Sequence, residues 1–249
     1  MSVLRDLIAS VGPVARATPV SEVAVGIHYT AVRSRWVGLA ATDITECCRS
    51  AVLPDWMGHL VDMPISALMD FLPGERSVEG ALGLAALNSV IVVPPGAVTT
   101  TDGRTLVLEH GRGRRVVTVG HFPFTDALRA AAGRLEVLEL DPAPGDRPAM
   151  DAATVLADAE VVVVTGTTIT NGTFDALEPL FPPAARVILL GPTTPLSPVL
   201  FEHGVDILAG TVVVEPDALF RAVSQGASRR QLHGTARVTL ARSRKLVSA

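Results

Sequence analysis

Lysine occurs once in the 249 residues, as Lys245, although lysine and arginine together number 21. A Schiff-base or phosphate-loop lysine would have to be that residue, and no GxxxxGKS/T run precedes it. Cysteine is nearly as scarce. Cys47 and Cys48 are adjacent, where a bridge would be strained, so the chain carries no disulfide framework. As free thiols they fit a reducing compartment, either as soft-metal ligands or as buried structural groups. Long apolar runs are missing too: the richest stretch, Gly80 to Val93, is broken by Asn88 and Ser89 and is shorter than the ~20 residues that cross a bilayer. Leu4, Leu7, Ile8 and Val11 recur at helical spacing around Asp6, unlike the unbroken apolar block of a signal peptide. The reading is a cytoplasmic protein that does not engage a membrane.

What is present is a large apolar complement: 48% hydrophobic against 18% charged residues, with a mean hydropathy of +0.40. Disorder is excluded as the main state, and the length allows one large domain or two small ones. At a formal charge of −4 there is no global attraction to nucleic acid. The charges are unevenly spread, however. Arg229, Arg230, Arg237, Arg242, Arg244 and Lys245 crowd the last segment, and Glu136, Glu139, Asp141, Asp146 and Asp151 cluster mid-chain. The basic group reads as a solvated tail or dimer rim, with anion binding as the other reading.

Ser21 to His28 and Trp36 to Ala41 are short apolar runs around a polar turn, as in a hairpin, and Ser77 to Leu87 has helical spacing. This predicts an α+β module over residues 1–110. The Arg112 to Arg115 run marks the boundary, and residues 111–249 change to alternating apolar runs and helical stretches. Val116–Gly120, Leu135–Leu140, Val161–Thr165, Val187–Gly191 and Val205–Ala209 are the expected strands. Thr125–Gly133, Met150–Ala157, Thr173–Phe181 and Ser197–His203 are the expected helices. Strands apolar on both faces and separated by helices call for a parallel, Rossmann-like sheet.

In such a sheet ligands bind beyond the carboxyl ends of the strands. After the first strand comes GHFPFTD, where Gly120 is followed by His121 and Phe122 rather than by the further glycines of a dinucleotide fingerprint. Nicotinamide dinucleotides and S-adenosylmethionine are therefore expected to bind weakly or not at all, and no cofactor is required. Glu139 and Asp141 end the second strand about 20 residues on, where an acid accepts from ribose or simply caps and solvates. TGTTITNGT offers Thr165, Gly166, Thr167, Thr168, Asn171 and Thr173 as an anion cradle or as caps and a turn. GPTTPLSP adds Gly191, Pro192, Thr193, Thr194 and Ser197, and both loops are expected to face one crevice. His121 is the candidate general base, or a structural loop histidine. Asp43 and Glu46 form a capping pair or turn carboxylates to the crevice. His28, His59, His110, His203 and His233 are scattered, so spacing indicates no metal site.

The strings VGHFPF, LELDP with GD.P, AEVVVVTGTTITNGT, LLGPTTPLSP with LF..GV, and LAGTVV.EPD resemble, in order and spacing, the putative heavy-metal chelation family. SVEGALGLAALN resembles its N-terminal module. The resemblance implies a small enolase N-terminal-like α+β domain followed by a Rossmann-like domain, a ligand cleft between them, and a homodimer; pairing with a related chain is the alternative. The shared motifs are mostly Thr, Asn, Ser and Pro, hard-oxygen donors that suit soft metals poorly. They suit better a small polar molecule carrying an anionic group, held while His121, Glu139, Asp141 or Asp43 manages a proton, as in displacement of the anion by an internal amine. A non-catalytic binder of a metal or metal chelate and a structural subunit are the competing readings.

Overall fold

The computed structural model describes residues 2–43, 56–73, 77–93 and 96–242, so Glu46, Cys47, Cys48, Arg244 and Lys245 lie outside the described residues. Helix α1 (Val3–Ala17) buries Val3, Leu4, Leu7 and Val11 on one face. A three-stranded antiparallel sheet follows, formed by β1 (Glu22–Val25), β2 (Tyr29–Arg33) and β3 (Val37–Ala41) in that order. The sequence suggested two strands; the central one, Tyr29–Arg33, was hidden because it is covered on both faces and its polar ends look like turn. After α2 (Ile65–Met69), Ser77 caps α3 (Val78–Asn88) by accepting the Gly80 N–H. Helix α3 is apolar all round and is accordingly buried all round, lying across β2 and β3. Gly38 permits this, because a Cβ there would collide with the Ala85 carbonyl.

The larger sheet takes β4 (Val98–Thr99), β5 (Arg115–Val119), β6 (Arg134–Glu139), β7 (Arg147–Pro148), β8 (Val161–Thr165), β9 (Arg186–Leu190), β10 (Ile207–Val213) and β11 (Thr235–Ala241). Their order is β4-β11-β10-β9-β8-β5-β6-β7; the six from β10 to β7 are parallel, and β11 runs antiparallel to both its neighbours. The parallel part thus has the doubly wound order, with the reversal between β5 and β8. Alternation assigns the two faces. Val116, Val161 and Val163 pack under α4 (Gly103–Gly111) and α5 (Thr125–Ala131), whereas Val117, Val162 and Val164 join the core shared with α1, α2 and α3. Short helices α6 (Ala152–Leu156), α7 (Thr167–Thr170) and α8 (Phe174–Leu177) and the longer α9 (Pro216–Ser224) complete the described residues. Among them no helix is long and apolar enough to cross a membrane.

Two features depart from the sequence reading. The arginine-rich segment is no free tail: Arg237 lies in β11, which is paired along its whole length with β10. The change of architecture also falls earlier than residue 111, because β4 pairs with β11 and α4 packs against α5. We therefore place the division between Val93 and Val98. One continuous apolar core crosses it, and polar links close it. Ala41 N–H donates to Thr193 Oγ1 at 2.9 Å, and Asn88 Nδ2 donates to the carbonyls of Leu39 and Thr193 at 3.0 and 3.1 Å.

At the far side, buried His203 joins α1 to the larger sheet's layer: Nε2 is 3.2 Å from Asp6 Oδ2 and Nδ1 is 3.0 Å from Glu178 Oε1. Replacing His203 by Ala leaves two carboxylates facing an empty space. We expect a loss of about 1–3 kcal/mol in urea unfolding at neutral pH; an unchanged midpoint would show that the bridge contributes nothing.

Candidate functional site

Where β5 and β8 part, the chain leaves the carboxyl edge of the sheet in two directions and a cleft of about 470 Å³ opens. Its lining includes Gly120, His121, Glu139, Thr165, Thr167, Thr168, Asn171 and Thr173, with Leu138, Met150 and Leu177 supplying apolar wall. Gly120 has φ +96, and a Cβ on it would stand 2.9 Å from Thr165 Cγ2. Only glycine lets the two strand ends approach this closely.

Three strand ends converge on His121. Its backbone N–H donates to Glu139 Oε1 at 2.8 Å, and its Nε2 lies 2.8 Å from Asp146 Oδ2. The same Asp146 oxygen accepts the Ala143 N–H at 2.9 Å, which fixes the carboxylate within its turn. The imidazole is half exposed whereas the Asp146 side chain is almost wholly covered. The hydrogen bond from His121 holds the Asp146 carboxyl below the usual carboxylate range, aided by the Ala143 N–H and against the cost of desolvation. A depressed carboxyl contributes its stabilisation above its unfolded pKa and loses it as pH falls through the folded one, so the His121–Asp146 pair persists at neutral pH. With Nε2 turned to a carboxylate, Nδ1 is the nitrogen left for a ligand.

The threonines divide into groups that bind neighbours and groups that remain available. Thr168 Oγ1 donates to the Thr165 carbonyl at 2.8 Å, and Asn171 Oδ1 accepts both the N–H and the hydroxyl of Thr173. Those protons are committed. Thr165 and Thr167 share one hydroxyl hydrogen bond at 3.1 Å, which leaves the second hydroxyl proton free, and Asn171 Nδ2 has no partner among the described residues.

The structure does not bring the second loop to this cleft. TGTT and GPTT are neighbours packed back to back: a Cβ on Gly166 would lie 2.7 Å from the Thr194 nitrogen. Thr193 holds Ala41, Ser197 caps the following turn by accepting the Val199 N–H, and Pro192 and Thr194 face a separate cleft of about 500 Å³ between the two sheets, beside Arg35 and Trp36. Gly191, at φ +135, makes the turn that separates them. Phe122 stacks on Phe124 with centroids 5.6 Å apart and packs with the α4–α5 side, outside the cleft lining. The stretch after Gly120 thus carries aromatic side chains where a dinucleotide fingerprint has glycines, and α5 begins only at Thr125. Asp141 is exposed and Asp43 lies just past β3; both make interactions of their own and neither lines the cleft. Asp146 was missed as a functional residue. Its signal was the tight turn ending in Gly145–Asp146, which aims a carboxylate back at the preceding strand ends.

The fold and cleft define a doubly wound α/β protein with a small antiparallel sheet packed against it. Models described as putative heavy-metal chelation match residues 8–91 and 103–242, and the chain belongs to this family. A protein of unknown function from the same family in Desulfitobacterium hafniense is 26% identical, with a TM-score of 0.82 over 96% of this chain and 98% of that one. Another from Pyrococcus horikoshii shares the fold at 18% identity, with a TM-score of 0.80 over 96% of this chain and 100% of that one. No functionally curated protein matches.

The described residues do not fit a soft heavy metal. No group of three or more His, Cys, Asp or Glu among them is arranged to hold a metal ion, and the cleft pairs hard oxygens with one imidazole already bonded to Asp146.

Replacing Thr168 by Val should act on stability, because its hydroxyl closes the first turn of α7. A loss of about 0.5–1.5 kcal/mol is expected from urea unfolding with an unchanged m value. No loss would show that the hydroxyl is free to serve a ligand.

Proposed function

We propose that the switch-point cleft binds a small polar molecule and that His121, oriented by Asp146, exchanges a proton with it. The observation that carries this reading is the His121–Asp146 pair opening onto a cleft at the strand reversal. Donation of Nε2–H to Asp146 leaves the Nδ1 lone pair as a base for a hydroxyl or amine, and Glu139 beside it favours a cationic or donor group. Acceptor-rich or anionic atoms of the same molecule suit the opposite wall, where the Thr165–Thr167 pair and Asn171 Nδ2 have protons to give. With an anion as leaving group, the amine nitrogen bonds to the carbon that the anion departs with its electron pair, and Nδ1 takes the amine proton. Positioning and proton transfer suffice for this.

The test is a thermal-shift panel of amino acids and hydroxy acids bearing phosphate, sulfate or carboxylate groups, followed by product analysis of each hit. A ligand at ~100 Kd stabilises by ~2.7 kcal/mol. Asp146→Asn should retain binding and lower turnover about 100-fold or more, with His121→Ala at least as impaired. Turnover indifferent to both substitutions, or no hit in the panel, would overturn the reading; stabilisation without any product would reduce it to binding.

A further inference from the structure

A third pocket, of about 370 Å³, lies on the α4 face of the larger sheet, over the carboxyl end of β9 and the middle of β10. Leu190–Pro192 and Ala209–Thr211 form part of its lining. Arg104, Arg229, Arg230 and Arg237 all line it, with Asp102 the one acidic lining residue. Four guanidinium charges against one carboxylate leave an excess of three, in a chain whose net charge is −4. Asp102 is already spent: Oδ1 accepts the Arg104 N–H at 3.2 Å as the cap of α4, and Oδ2 accepts from Arg237 Nη1 at 3.1 Å. The guanidiniums of Arg104, Arg229 and Arg230 have no ion-pair partner among the described residues.

These arginines come from three separate parts of the chain, on backbone that is anchored in each case. Arg237 sits in the paired strand β11, and Arg104 is in the first turn of the nine-residue α4. Arg229 and Arg230 ride a single 3-10 turn whose start is fixed by Ser228, with Ser228 N–H and Oγ both donating to Gln231 Oε1. Bringing like charges together on rigid elements is unfavourable unless something negative joins them. Guanidinium forks suit phosphate and carboxylate oxygens, to which they donate two parallel hydrogen bonds. We infer that this pocket binds a small multiply charged anion, a phosphorylated or polycarboxylate molecule. A volume of about 370 Å³ fits a small molecule, and the chain's negative net charge argues against an extended nucleic-acid surface. His121, Glu139 and Asp146 play no part in it, so the inference is independent of the switch-point reading.

Calorimetry with pyrophosphate and with citrate, at about 0.15 M ionic strength, tests it. The full chain should bind at least one of them. Arg229→Gln/Arg230→Gln should weaken that binding by about tenfold or more, Arg104→Gln should weaken it to a lesser degree, and Arg112→Gln, an exposed arginine outside the pocket, should leave it unchanged. His121→Ala should also leave it unchanged, which keeps this result separate from the other cleft. Circular dichroism of the unliganded variants checks that each is folded. Failure of both anions to bind at millimolar concentration would overturn the inference. So would an equal loss in Arg112→Gln, or a single-stranded oligonucleotide that binds more tightly than either anion.

Discussion

The close approach of Gly120 to Thr165 governs the site. β5 and β8 pair in parallel up to Val119 and Val164, and then must part, since the chain runs from β5 outward to β6 and β7 but from β8 outward to β9 and β10. A side chain on Gly120 would press on Thr165 there, and its positive φ favours glycine. The separation of the two chains opens the cleft, and the tight contact at its root keeps the threonine loop against the His121 loop. His121 and Glu139 stand at the ends of adjacent strands and Asp146 on the turn that leads into β7, and they meet through hydrogen bonds to one another's backbone or side chain.

A second constraint joins the two sheets. The helix α3 has no polar face, so it is stable only when covered on every side, by β2 and β3 in one direction and by the larger sheet's layer in the other. Thr193 and Asn88 satisfy backbone groups at that seam, which explains why the GPTT loop serves the join and TGTT the cleft. Two loops of nearly identical composition therefore do different work. Gly166, packed against Thr194, is the point at which they turn away from each other.

Much of the larger sheet could be read from the chain, because five of its strands are short runs rich in Val, Ile and Leu separated by helical stretches. β11 could not: its Arg237 and Thr239 mark an antiparallel strand near the edge, which reads as a basic tail when only composition is considered. His121 and Glu139 were legible as groups at strand ends. Asp146 was not, since its role depends on a turn that folds back across the edge of the sheet. The shared role assigned to the two threonine loops failed for a related reason. Residue type announces donors, but the direction in which a loop faces is decided by packing, here at Gly166.

Family membership speaks of heavy metals, while the cleft presents one imidazole bonded to Asp146, the Glu139 carboxylate, threonine hydroxyls and the Asn171 amide, a set better suited to an organic molecule. The most direct measurement is a crystal structure of the chain after incubation with a small-molecule extract of cells. The account predicts an ordered organic molecule in the switch-point cleft with a donor group within hydrogen-bond distance of His121 Nδ1. Density for the molecule only in the cleft between Arg35 and Thr194, with nothing but water against His121, would contradict it.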